Sequence, residues 1–299
     1  MASLKIIIVS DGKAGHLSQS RGLAGAIAKL TPASMHEVQV SQPDAAHWSL
    51  GGSLVFAAGH RTYGPALRIA GRLGCPAIAL MNPGWWMRRR FDLSVIPEHD
   101  GVAASARVEL TVGSINPVRY AEHASPTEGL LLIGGPSKHH SWDEHAIGEQ
   151  LRAVLASDAS VRWTATSSRR TSGGTHDLLR SLADEAQHRL TYVPPDETPV
   201  GWVAEQLQRC GVCWVSEDSA SMVYEALTAG ARVGLLRVPL RGVKPGRVIR
   251  GVHGLVEKQW VTRFDAWRDG AALMGDRPRL AEADRVAEVI LQRWPRLRQ

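Results

Sequence analysis

Cys213-Trp214-Val215-Ser216-Glu217-Asp218-Ser219-Ala220-Ser221-Met222-Val223-Tyr224-Glu225-Ala226-Leu227-Thr228-Ala229-Gly230 changes its hydrophobic period midway. The apolar run from Gly211 to Val215 reads as a buried strand. Four polar residues follow, and then Met222, Val223, Ala226 and Leu227 share one helical face. Ser219 stands where an N-cap belongs, and Gly230 where the helix should end. A strand that stops just before a helix start aims unpaired N–H groups and a positive dipole end into one crevice, which suits an anion. Glu225, within two turns of the helix start, is placed to accept hydrogen bonds from a hydroxylated group beside a bound phosphate. Phosphate and sugar together point to a nucleotide; the alternative is an ordinary capped βα unit.

The same alternation extends outward in both directions. Gly129 to Ile133 is a predicted strand ending in Gly134-Gly135-Pro136-Ser137-Lys138, with a helix from Asp143 to Leu155. Val161 to Ala165 is another, ending in Thr166-Ser167-Ser168-Arg169-Arg170, with a helix from Thr175 to Ala186. Leu190 to Val193, Pro199 to Gln208, a strand from Val233 to Leu236 and a helical start in Lys244 to His253 continue it. Val286, Val289 and Ile290 give Leu280 to Trp294 the spacing of a closing helix.

The front half has the same character. Lys5 to Ser10 is nearly all apolar, as a strand covered on both faces should be. The break Asp11-Gly12-Lys13-Ala14-Gly15-His16 leads into a helix from Leu17 to Leu30. Neither a P-loop nor a G-x-G-x-x-G fingerprint is present in that break. Strands are expected at Val38 to Val40, Ser53 to Ala57, Pro76 to Met81 and Leu93 to Ile96, with a helix from Tyr63 to Leu73. The poorly periodic segment Gly113 to Gly129 marks a boundary. The expectation is therefore an α/β chain of two doubly wound, Rossmann-like parallel sheets facing a central cleft, residues 1–122 and 123–299, with the last helix free to cross back.

Totals agree with a globular protein: 299 residues, 44% hydrophobic and 21% charged. The formal charge of +6 is modest for that length and comes mainly from arginine, which suits phosphates and carboxylates. It is too dispersed to argue for nucleic acid, and no aromatic–basic recognition motif accompanies it. Cys75, Cys210 and Cys213 cannot make a disulfide framework; the C-x-x-C pair lacks a second ligand pair and reads as two half-buried thiols. A cytoplasmic location is expected, because Met1 to Val9 runs straight into a strand and no segment is long and apolar enough to span a bilayer.

In an open α/β sheet, ligands sit beyond the carboxyl ends of the strands. Three loops of the second half share that position: Gly134, Gly135, Ser137 and Lys138; Ser167, Ser168, Arg169 and Arg170; Ser216, Glu217, Asp218, Ser219 and Ser221. With Glu225 they form the candidate site for a nucleoside diphosphate. No carboxylate cluster has metal-ligand spacing, so no metal and no further cofactor are expected; the Glu217–Asp218 pair is a weak exception. His139 and His140 are expected to be exposed loop residues. Asn82-Pro83-Gly84-Trp85-Trp86-Met87-Arg88-Arg89-Arg90-Phe91 joins aromatics to a basic run, which suits contact with an anionic bilayer as well as simple packing of the indoles on a neighbouring helix. A peripheral place at the inner membrane would follow from the former.

Asp11 to Ser20, Pro97-Glu98-His99-Asp100, Gly134 to Lys138, Thr166 to Arg170 and Val215 to Met222 together resemble the mitochondrial fission ELM family. That family, found in bacteria and plants, is assigned to glycosyltransferases of the GT-B fold, and bacterial relatives are also called nucleoside-diphosphate-sugar epimerases. The resemblance covers nearly the whole chain. It implies donor nucleotide on the C-terminal half, acceptor mainly on the N-terminal half, and catalysis without bound metal. It suggests Gly135, Ser167, Arg169 and Ser219 at the phosphates and Glu225 on the ribose. An inverting transfer needs a base for the acceptor hydroxyl; His16 is the first candidate, with Asp11 as its orienting partner or substitute, and Asp100 and Glu98 as further carboxylates on the cleft side. The implied reaction is transfer of a sugar from a UDP-linked donor to an acceptor that a bilayer could carry. An epimerase or hydrolase on the same donor, or a non-catalytic membrane scaffold, are the alternatives.

Overall fold

The computed structural model describes residues 3–41, 53–242 and 246–298. It divides the chain into two compact units, Met1–Pro117 with Ala281–Gln299, and Val118–Leu280. The first unit carries β1 (Leu4–Ser10), α1 (Ala14–Leu30), β2 (Ala33–Gln39), β3 (Ser53–Ala58), α2 (His60–Leu73), β4 (Ala77–Leu80), α3 (Trp85–Arg88), β5 (Leu93–Pro97) and β6 (Val108–Thr111). The second is built from β7 (Ser125–Ile133), α4 (Glu144–Ser157), β8 (Arg162–Ser167), α5 (Gly173–Ala186), β9 (Leu190–Val193) and α6 (Trp202–Leu207). It continues through β10 (Cys210–Ser216), α7 (Ala220–Ala229), β11 (Arg232–Leu236), α8 (Arg247–Glu257), β12 (Thr262–Arg263) and α9 (Phe264–Arg268). The chain then returns to the first unit with α10 (Glu282–Arg293).

Each unit holds one six-stranded sheet, ordered β2-β1-β3-β4-β5-β6 and β12-β11-β10-β7-β8-β9, and every named pairing is parallel. The first strand shows why the apolar run is continuous. Leu4, Ile6 and Ile8 face α1 and α10, whereas Ile7 and Val9 face the α2 side with Tyr63, Ala66 and Ile69. Both faces of the strand are thus buried, as period-two geometry requires when helices cover a sheet on both sides. The closing helix gives Val286, Ala287, Ile290 and Leu291 to the same core as α1. Lys29 to Asp284, Arg285 to Glu109 and the Val112 amide to Glu282 hold its flank.

In the second unit Leu131, Ile133, Trp163 and Trp214 pack under α4, α5 and α9. Trp214 is almost fully enclosed and meets Phe264 and Trp267 edge-on. Its indole lies over the partner strand's Gly234, the register neighbour of Trp214, where a Cβ would overlap the ring. Cys210 and Cys213 are both buried within β10, which corrects the half-buried expectation: the strand is central and covered on both faces. The short elements β6, β12 and α3 did not stand out in the sequence. The predicted helix beginning at Lys244 starts outside the described residues; α8 opens at Arg247. Among the described residues no helix is long and apolar enough to cross a membrane.

Candidate functional site

The strand ends of the second unit come together around Asp218. β7 leads into Gly134 and Gly135, β8 into Ser168 to Thr171, and β10 into Glu217, Asp218 and the first turn of α7. The Gly134 amide donates to Ser216 Oγ at 2.7 Å, and the Gly135 amide to Asp218 Oδ2 at 3.2 Å. The same carboxylate pairs with the Arg170 guanidinium, which also donates to the Gly135 carbonyl. Thr171 Oγ1 donates to the Gly134 carbonyl. The two glycines are therefore required by close approach: a Cβ at Gly134 would overlap Asp218, and one at Gly135 would press on the backbone of Arg170 and Thr171 at 2.8–2.9 Å. Both amides face protein acceptors.

The remaining candidates divide into engaged and exposed groups. Ser167 Oγ lies 2.9 Å from the Tyr192 hydroxyl, which also contacts His176 Nδ1. Ser168 Oγ and its amide meet Thr171 Oγ1 at 3.2 and 3.0 Å. Ser137 Oγ accepts from the amides of His139 and His140. Ser219 holds the N-cap position of α7 but makes no side-chain cap, so the first amides of this helix carry none. Lys138, Arg169 and Ser221 are exposed. Of the two arginines in this loop, Arg170, and not the Arg169 that the resemblance suggests, is the guanidinium that reaches the cluster.

Glu225 is half-buried on α7 and has neither hydrogen bond nor ion pair among the described residues; desolvation alone pushes its carboxyl up to about 7. Glu217 is also raised, first by burial, while its carboxylate accepts the Val238 amide at 2.9 Å. Glu217 and His140 border a cavity of about 440 Å³ with Arg237, Leu240, His253 and Arg263. His140 is 5% exposed, contrary to the expected loop exposure, because its ring folds under the 134–140 loop towards Ser137. Burial holds it below the usual histidine range, with help from the charges of His139, Arg170 and His253, against the pull of Asp218. Among the described residues no three His, Cys, Asp or Glu side chains converge as a metal site.

In the first unit, β1 is followed directly by Asp11, whose side chain is 1% exposed. His16 Nδ1 lies 3.1 and 3.2 Å from its two oxygens. Burial opposes the Asp11 carboxylate, yet the His16 and Lys13-amide hydrogen bonds and the nearby charges hold it below the ordinary aspartate value. The imidazole rests against Gly59, whose φ of +91° and missing Cβ make room for the ring at the end of β3. Asp100 lies in the single turn after β5, at the same carboxyl-terminal edge of this sheet. Gly59 was not singled out from the sequence, although a glycine directly after an apolar strand is a detectable signal.

Trp85 and Trp86 open α3 and stack with centroids 5.1 Å apart, 58% and 74% exposed. The Arg89 guanidinium sits 4.0 Å over Trp85, and Arg89 and Arg90 are exposed while Arg88 is half-buried.

The profile of the family described as "Mitochondrial fission ELM1" matches residues 14–294. No curated protein matches the chain. Among solved structures, UDP-GlcNAc 2-epimerase from Methanocaldococcus jannaschii is similar with a TM-score of 0.60 at 11% identity, over 97% of this chain and 100% of that one. Acinetobacter baumannii MurG gives 0.57 at 14%, over 97% and 100%. Phytolacca americana UGT2, complexed with UDP-2fluoro-glucose and pterostilbene, gives 0.52 at 10%, over 98% and 90%. At these identities the likeness defines the fold, which is GT-B.

Proposed function

The chain belongs to the mitochondrial fission ELM1 family, and from that premise we propose that it is a glycosyltransferase using a UDP-linked sugar without a bound metal. One observation carries the reading: a buried Asp11 holding His16 at the strand end of the first unit, on a GT-B fold. With Nδ1–H donating to Asp11, His16 Nε2 is left as the base. It takes the proton of the acceptor hydroxyl as that oxygen bonds to the anomeric carbon. The bond from that carbon to the diphosphate breaks, and the nucleoside diphosphate leaves with the electron pair. On the second unit, Arg170, Ser167 and the uncapped α7 amides offset the leaving charge, and Glu225 accepts from the ribose hydroxyls. In this reading the transferred sugar lies in the cavity beside Glu217 and His140, whose lining mixes these and other polar groups with aliphatic side chains. Asp100 is the reserve carboxylate at the acceptor side.

The acceptor in this reading is borne by an anionic bilayer, and the protein is cytoplasmic with a peripheral contact at the inner membrane. Trp85, Trp86, Arg88, Arg89 and Arg90 support it, each basic residue adding about 1 kcal/mol near such a surface. The protein incubated with a panel of UDP-sugars should release UDP only when membrane lipid is added. His16→Ala should lower that rate by about 10²–10⁴-fold and leave donor binding intact. Release unaffected by His16→Ala would remove the assigned base.

A second reading follows from the likeness to UDP-GlcNAc 2-epimerase: the sugar would then change with no acceptor present, visible by NMR of UDP-GlcNAc incubated with protein alone. A scaffold role would instead leave vesicle pelleting dependent on Trp85 and Trp86 with no nucleotide bound.

A further inference from the structure

Asp218 is the carboxylate that turns into a strand-end cluster of amides, hydroxyls and a guanidinium, whereas its neighbour Glu217 accepts the Val238 amide. Its side chain is fully buried. Oδ2 takes the Gly135 N–H at 3.2 Å and the Arg170 guanidinium, and the carboxylate lies so close to Gly134 that no Cβ fits between them. Oδ1 is buried with no hydrogen-bond partner among the described residues. Two residues further on, α7 begins with no side-chain cap on its first amides. Asp218 thus occupies the donors that the anionic part of a nucleotide would need.

We infer that Asp218 is a specificity-determining residue, an internal anion that the ligand's diphosphate must displace from Arg170 and the Gly135 amide. This rests on the reading of the cluster as the nucleotide site. A carboxylate brings one charge and two oxygens. A diphosphate brings more of both, enough to engage Arg170, the Gly135 amide and the α7 amides together. A neutral nucleoside has nothing to exchange for the carboxylate, and a monophosphate has less. The seat is imperfect as well, since a buried charged acceptor with an unmet oxygen is costly. Moving Asp218 into water restores hydration to that oxygen. The competent form is therefore a fraction of the population, and apparent affinity falls by that fraction.

The full-length protein and its Asp218→Asn variant, titrated calorimetrically with uridine, uridine monophosphate and UDP, test this. UDP should bind the variant about tenfold or more tightly than the wild type, as removal of an occluding group requires. Uridine should bind both alike. If Asn does not fold, as judged by circular dichroism, Asp218→Ser keeps an acceptor near the Gly135 amide without the charge and makes the same comparison. Equal or weaker UDP binding by a folded variant overturns the displacement role and leaves the nucleotide reading standing. No UDP binding by either protein overturns both.

Discussion

A lone, half-buried carboxyl such as Glu225 has two consequences that can be measured. Its carboxyl is raised from 4.5 to about 7 by desolvation, with no compensating partner among the described residues. The folded chain therefore binds more protons than the unfolded one between those values, and stability falls as pH rises through that window. Glu225→Gln removes the fall. The variant should match wild type below pH 4.5 and exceed it by up to about 3 kcal/mol above pH 7, read from urea midpoints. Ribose hydroxyls that donate to the carboxylate favour its charged form. Nucleotide uptake near pH 6 should then release a proton, seen as a buffer-dependent binding enthalpy that Glu225→Gln abolishes. On the first unit, Gly59→Ala would force a side chain into a φ of +91° and push the His16 ring off Asp11. A loss of about 1–3 kcal/mol in stability is expected from the backbone alone, together with slower turnover. Arg169 and Arg170 show where sequence reading stops at this scale: both lie in the loop after β8, but which guanidinium turns towards Asp218 depends on the path of residues 168–171. The loops were legible from Gly, Ser and Arg after apolar runs; the partners within them, Asp218 with Gly135 above all, depend on packing between strand ends far apart in sequence.

At the scale of elements, legibility followed length and burial. β1, α1, β10 and α7 carry unbroken apolar runs or a clear helical face, so their types could be read directly. β6 and β12 are four and two residues long, too short for a period to show. The exchange of bulk between neighbouring strands is a further feature that periodicity does not reveal. Trp214 on β10 lies across from Gly234 on β11, and Trp163 on β8 across from Gly129 on β7, in each case with the glycine making room for the indole. Gly234→Ala should force Trp214 off Phe264 and Trp267, at about 1–3 kcal/mol for an overpacked core. A lower melting temperature with altered tryptophan fluorescence is the expected result. An unchanged melt would mean that the sheet spreads at that edge without resistance.

At the scale of the whole molecule, the last residues belong to the unit that the chain builds first. The sequence reading left room for this by allowing the final helix to cross back, and the physical reason lies in its apolar stripe: Val286, Ala287, Ile290 and Leu291 are all fully buried in the core that also holds Leu23 and Ile27 of α1. Removing residues 281–299 would uncover one side of that core and release Glu109 and Lys29 from Arg285 and Asp284. Each large aliphatic side chain taken from such a core accounts for about 1.5–3 kcal/mol of burial, so losing three of them removes about 5–9 kcal/mol, comparable with the whole stability of a unit of this size. The second unit has its own core around Trp163, Trp214 and Leu151, which among the described residues includes none from that segment. Truncation after Leu280 should therefore abolish one melting transition and preserve the one reported by Trp214 fluorescence. If the second unit alone carries the nucleotide site, UDP should still raise the surviving transition, while all sugar transfer is lost with Asp11 and His16. A truncated chain that melts as one unit with the wild-type profile would show that α10 merely lies on a core already closed by α1.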